Sequence, residues 1–157
     1  MKGLTKASIV TLVAVAIPAT ALAQGTTTTA DREARIGSNL SYHFDTRDPG
    51  LGAQLDVPVS AQIALYPSGA VYFVDQGSLI GINADLKYRL PVPLYVGGGL
   101  NVLRRAVNGT ERTDAGLNLL GGVEGRYGRV HPFAEGRIIL NDGSAFLLAA
   151  GLNIGLR

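Results

Sequence analysis

The chain is short, 157 residues, 46% hydrophobic and only 17% charged, with no cysteine and a formal net charge of +2. These values exclude a disulfide-stapled secreted domain and any cysteine metal site. They also give no support to a nucleic-acid surface: no basic block exists, and the nominal pI of about 9.1 owes its excess to Lys2 and Lys6, which leave with an export signal.

Residues 1–23 read as that signal. Lys2 and Lys6 give a positive start, residues 7–18 are almost wholly apolar, and Ala21-Leu22-Ala23 is the small-x-small pattern that signal peptidase cuts, here after Ala23. The apolar run falls short of the ~20 residues a spanning helix needs, and no later stretch reaches that length. Residues 24–34, with Thr26-Thr27-Thr28-Thr29, form a flexible lead-in.

From Arg35 the hydrophobic period becomes two, the signature of strands with one apolar face. Segment 35–44 sets Ile36, Leu40, Tyr42 and Phe44 against Asn39, Ser41 and His43. Segment 51–57 sets Leu51, Ala53, Leu55 and Val57 against Gln54 and Asp56. Segment 62–74 is interrupted by Pro67-Ser68-Gly69, where a kink or bulge is expected; a full turn there would raise the strand count from eight to ten. Segment 80–90 alternates throughout, Ile80, Ile82, Ala84, Leu86, Tyr88 and Leu90 against Gly81, Asn83, Asp85, Lys87 and Arg89. A helix would scatter those aliphatic residues around its circumference.

Segments 94–102, 117–127, 132–140 and 146–157 repeat the pattern. The inner face of 117–127 carries Glu124 and Arg126, and that of 132–140 carries Glu135 and Arg137. The connections alternate in character: polar at 45–50, 75–77, 108–113 and 141–143, tight at 58–60, 91–93 and 128–130. Long loops on one side and short turns on the other, with an even strand number, fit an antiparallel up-and-down transmembrane β-barrel of about eight strands over residues 35–157, in one domain. An exported chain this apolar without a helical span meets lipid through alternate strand positions.

Tyr95-Val96-Gly97-Gly98-Gly99-Leu100 looks like the glycine-rich fifth strand of small bacterial outer-membrane barrels. Pro132-Phe133-Ala134-Glu135-Gly136-Arg137 looks like their proline, aromatic, alanine, glutamate strand. Gly151-Leu152-Asn153-Ile154-Gly155-Leu156 is similar to their closing strand. The chain thus resembles the OmpA transmembrane domain, OmpX and opacity-protein type over about 35–157. It departs in ending on Leu156-Arg157 where that type ends on an aromatic residue, and in lacking tryptophan. The resemblance implies a Gram-negative outer-membrane location, outer-membrane lipid as surroundings and the barrel-assembly machinery as a partner during biogenesis. It implies no single activity.

The polar face gathers a lumen charge network, Asp56, Asp85, Lys87, Arg89, Glu124, Arg126, Glu135 and Arg137, expected to be structural, with Glu124, Arg126, Glu135 and Arg137 paired as a ladder between neighbouring strands. Tyr42, Phe44, Tyr88, Tyr127 and Phe146 lie near strand ends on the apolar face, where interfacial aromatics belong. No enzyme is expected. His43 and His131 lack the His-x-Ser element of the lipid A deacylase of this barrel class and are too far apart for a metal set, so no cofactor or metal is assigned. Gly97-Gly98-Gly99 lacks the lysine of a phosphate loop. The expected function is a non-enzymatic structural anchor or surface-interaction protein, acting through external loops around 45–50 and 106–113. The alternatives are a soluble periplasmic lipocalin-like carrier of an apolar ligand, with the apolar face inward, and a narrow porin-like channel.

Overall fold

The computed structural model describes residues 33–74, 77–107, 109–125, 128–141 and 143–156; the signal, most of the lead-in, Arg126 and Tyr127 lie outside them. Eight strands follow one another: β1 (Arg35–His43), β2 (Asp48–Pro58), β3 (Ile63–Tyr72), β4 (Gly77–Arg89), β5 (Leu94–Val107), β6 (Thr110–Glu124), β7 (Val130–Leu140) and β8 (Ser144–Gly155). Each pairs antiparallel with the next, and β1 pairs with β8 to close the barrel. Closure leaves no edge over the paired length, so the backbone hydrogen bonds are satisfied within the wall.

The alternation in sequence becomes an inside and an outside. Leu40, Ile82, Leu100 and Leu119 face outward and stand 69%, 60%, 63% and 56% exposed, while Asp56, Lys87 and Asn118 on the other face are essentially sealed. A continuous aliphatic band of this size has no place on a water-soluble surface. It is also the reverse of what a soluble carrier with an apolar interior requires.

Three sequence expectations are corrected. Pro67-Ser68-Gly69 makes neither a turn nor a bulge. β3 continues unbroken through it, fully paired with β4, and its ladder to β2 merely lapses opposite Leu55 and Asp56, with the same register on either side. A bulge would have inserted an extra residue and shifted that register. Proline lacks the N–H to complete a ladder, yet the wall tolerates one gap, and the barrel has eight strands, not ten. The polar stretch 108–113 is not a long loop. Val107 stands opposite Thr110, Gly109 between them has φ 77°, and Glu111, Arg112 and Thr113 belong to β6; Asn108 lies outside the described residues. Asn-Gly is the strongest short-range hairpin signal because both turn positions require positive φ. The polar stretch 45–50 is shorter too: the connection is 44–47, and β2 starts at Asp48.

Inward glycines make room for large lumen side chains. Gly122 stands opposite Tyr95 in the register, and a Cβ there would press on the Ala134 carbonyl oxygen and come within 2.6 Å of the Tyr95 Oη. Gly122→Ala is therefore expected to cost about 1–3 kcal/mol by overpacking, read from reversible urea unfolding in lipid vesicles. The adjacent Gly121 faces outward, and its Cβ would meet nothing nearer than 3.7 Å, so Gly121→Ala should stay within about 0.5 kcal/mol of wild type. Equal losses at the two positions would contradict the close packing assigned to the inner face at Gly122.

Candidate functional site

Among the described residues, the buried charged groups all lie in the lumen. Eight charged side chains are buried there in equal numbers: Arg35, Lys87, Arg89 and Arg137 against Asp56, Asp85, Glu124 and Glu135. Nearest the chain termini, Lys87 Nζ donates to Asp56 Oδ2 at 2.9 Å and to Glu124 Oε2 at 3.1 Å. Arg89 donates to the other Asp56 oxygen, and Arg35 Nη1 donates to Glu124 Oε2 at 3.2 Å. The remaining Glu124 oxygen accepts from Asn153 Nδ2 at 2.7 Å. An amide relay continues from there, Gln54 to Asn153 and Asn39 to Gln54, at 2.8 and 2.6 Å. Every carboxylate oxygen of Asp56 and Glu124 thus has a donor, the condition under which buried charge is tolerable. Lys87 is also capped by aromatic faces, its Nζ 4.0 Å from the Tyr95 centroid and 4.8 Å from that of Tyr66.

A second group lies further along the barrel. Arg137 Nη2 donates to Glu135 Oε1 at 2.9 Å, and Tyr95 donates to Glu135 Oε2 at 3.0 Å. Arg137 Nη1 stands 2.8 Å from Asp85 Oδ2, an ion pair by distance whose angle is outside hydrogen-bond geometry. Asn83 Oδ1 accepts from both Asn101 and Asn118 at 2.7 and 2.9 Å.

The expected ladder between β6 and β7 is corrected. Glu124 stands opposite Phe133, and Glu135 opposite Gly122, so Glu124 and Glu135 are not at one depth. Glu124 draws its partners from across the bore, on β1, β4 and β8, whereas Glu135 meets Arg137 two residues along its own strand and Tyr95 of β5, and Arg137 also reaches Asp85 of β4. Depth in a barrel depends on the stagger of all eight strands, which counting along two neighbouring segments does not supply. Arg126 lies outside the described residues. Arg35 was missed as a lumen charge because it opens its strand. The register places it opposite Asp56, and extending the alternation back from Ser41 would have found it.

Toward the loop end the inner face turns apolar. Tyr72, Leu79, Leu103, Ile139, Ala145 and Leu147 form one buried cluster. Between it and the charges remains a cavity of about 40 Å3, lined in part by Tyr66, Asn101, Glu135 and Ile139, room for a few waters at most. No trio of metal-ligating side chains occurs among the described residues. His131 Nδ1 is 2.8 Å from the Gly125 carbonyl, and His43 packs edge-on to Tyr72 at the opposite end.

On the outer surface, Tyr42, Phe44 and Phe146 cluster at the loop end, with ring centroids 5.0 and 5.3 Å apart in sequence. Phe73 is exposed on the same rim and was not foreseen, since it lies within the segment 62–74 that Pro67-Ser68-Gly69 blurs. Tyr88 is exposed at the terminal end, and Tyr127 is outside the described residues.

No protein-family model and no curated sequence matches the chain. Solved structures do. The N-terminal β-barrel domain of Pseudomonas aeruginosa OprF aligns at TM-score 0.61 and 16% identity, over 82% of this chain and 100% of that one. Ail, the attachment invasion locus protein of Yersinia pestis, aligns at 0.51 and 14%, over 79% and 97%. Neisserial surface protein A aligns at 0.51 and 14%, over 79% and 95%. At such identities the likeness establishes the fold: the chain is a closed eight-stranded antiparallel barrel of the small outer-membrane type.

Proposed function

We propose that the chain is a non-enzymatic protein of the bacterial outer membrane, exported by a cleaved signal over residues 1–23, inserted by the barrel-assembly machinery and held in lipid by its aliphatic band. Its work is envelope anchoring or surface contact at the loop end. The observation that carries this is the filled lumen, in which the described charges, four of each sign, pair with one another beneath an apolar layer. That arrangement favours a solid anchor over a porin-like channel, because an ion would have to displace an ion pair and cross Leu79, Leu103, Ile139 and Leu147. Two of the neighbours are named for attachment and for the surface, which agrees with work done at an exposed end.

The mature chain refolded in detergent is expected to migrate differently on gels before and after boiling, to stay with membranes in carbonate, and to give no stable conductance steps in planar bilayers. A soluble periplasmic monomer would overturn the membrane reading, and steady unitary conductance would overturn the filled-lumen reading.

A further inference from the structure

The connection between β1 and β2, residues 44–47, is held by a buried histidine. His43 ends β1, is 2% exposed, lies edge-on to Tyr72 with ring centroids 5.5 Å apart, and borders Leu103 and Ala145 of the apolar layer. Its Nδ1 accepts the Thr46 N–H at 3.4 Å. A ring nitrogen that accepts carries no proton, so the proton of the neutral ring sits on Nε2, which has no hydrogen-bond partner among the described residues. Asp45 ties the same connection to β8, its Oδ2 accepting the Phe146 N–H at 3.2 Å. Arg47 sits at φ 61°, a left-handed conformation that residues other than glycine seldom adopt. The connection is therefore kept in place by these contacts and not by local backbone preference.

A second proton on the ring reverses the Thr46 contact. Both nitrogens of an imidazolium are donors, so Nδ1–H would face the Thr46 N–H, donor against donor, where water scarcely reaches. The charged surroundings are mixed. Burial and Arg105 of β5 disfavour a charge on the ring, while Asp45 and Asp48, the latter opposite His43 in the register, favour one. Arg112, opposite Arg105 on β6, lines the same basin with Asp114, and the two are joined at 2.7 Å. The described residues of β3 and β8 bring no charge to the ring; Asp75 and Asp142, in the neighbouring turns, lie outside the described residues. The carboxylates that can accept from an imidazolium are thus Asp45 and Asp48, and Asp45 is already engaged with Phe146. A cation at His43 competes with the bond that ties the connection to β8.

We infer that His43 is an acid-sensitive latch on the β1–β2 connection. With the ring neutral, residues 44–47 are held against the barrel; with the ring protonated, Thr46 is released, Asp45 turns from Phe146 toward the imidazolium, and the connection lifts. The proton arrives through the water-open basin of about 440 Å3 that His43 borders. The latch goes beyond the anchoring role and rests on the fold alone, not on the surface-contact reading.

The test follows the full mature chain, isotopically labelled and refolded in detergent micelles, by NMR from about pH 8 to about pH 4.5, a window that spans histidine and stops above the ordinary aspartate range. At the upper limit the His43 ring is expected as the Nε2–H tautomer. On acidification the Thr46 and Phe146 amides should shift on the same titration curve as the His43 ring nitrogens. Their protection from hydrogen exchange, corrected for intrinsic rates, should fall by about tenfold, the loss of one hydrogen bond. His43→Gln keeps an acceptor oxygen but takes no proton, so both amides should stay in their neutral positions throughout. His43→Phe keeps the ring against Tyr72 but offers no acceptor, so Thr46 should be released at every pH. His131→Gln is the control: His131 is buried at the opposite end, against the Gly125 carbonyl, and its loss should leave the two amide curves unchanged. An Nδ1–H tautomer in the neutral ring, amides that do not follow the His43 ring, or the wild-type response persisting in His43→Gln overturns the latch. The boiled and unboiled gel shift at both pH limits shows whether the barrel stays folded; its loss in acid would make the change global and overturn a local latch as well.

Discussion

Lys87→Met is expected to destabilise the barrel by about 3–5 kcal/mol, the scale seen when one partner of a buried ionic group is removed. Lys87 is fully buried, bridges Asp56 and Glu124, and lies against the faces of Tyr66 and Tyr95. Methionine fills similar space but leaves two carboxylates short of a cation in a bore that has little room for compensating water. Urea unfolding in lipid vesicles measures the loss directly. A double variant shows whether charge is the cause. In Lys87→Met with Glu124→Gln, equal numbers of buried acids and bases remain, so the pair should be less destabilised than its two single losses added, with a coupling of about 1–3 kcal/mol. Simple additivity would mean that Lys87 contributes through packing alone and that the network is not a unit.

Leu119→Arg should cost about 2–4 kcal/mol in vesicles, the penalty for a cation on the lipid face near the middle of a bilayer. Leu119 lies level with Gly98 and Ile138, midway along the aliphatic rows, and is more than half exposed. Ala115, also outward, stands opposite Val102 where the rows give way to Arg104 and Glu111. Ala115→Arg should cost only about 0–1 kcal/mol, since the penalty fades toward the interface. In water both positions are exposed surface, and neither substitution would shift stability appreciably. The gradient between them therefore reports the surroundings of the outer face independently of the fold.

Alternation was legible wherever it ran unbroken. Ile80 through Arg89 assigns every residue to its observed side, and so do the aliphatic and polar rows of β7 and β8. It failed where a residue type carries two meanings. Pro67 reads as a break, but in a wall paired on both sides one missing N–H is absorbed. Glu111, Arg112 and Thr113 read as loop because they are polar on both faces, although Asn108-Gly109 beside them marks the hairpin; their strand stands clear of the apolar band, where neither face has to be hydrophobic.

The strand period, the division of each strand into an aliphatic and a polar side, the eight-membered hairpin rhythm and, among the described residues, the charges bound for the interior other than Arg35 were all legible in the sequence. These follow from the two-residue repeat of an extended chain, which is a local property. Which acid meets which base, the apolar layer above them and the opposed arginines at the mouth were decided only by the tertiary structure. Closing the ring fixes the stagger of all eight strands together, and the depth of any one side chain is a sum over every register around the barrel.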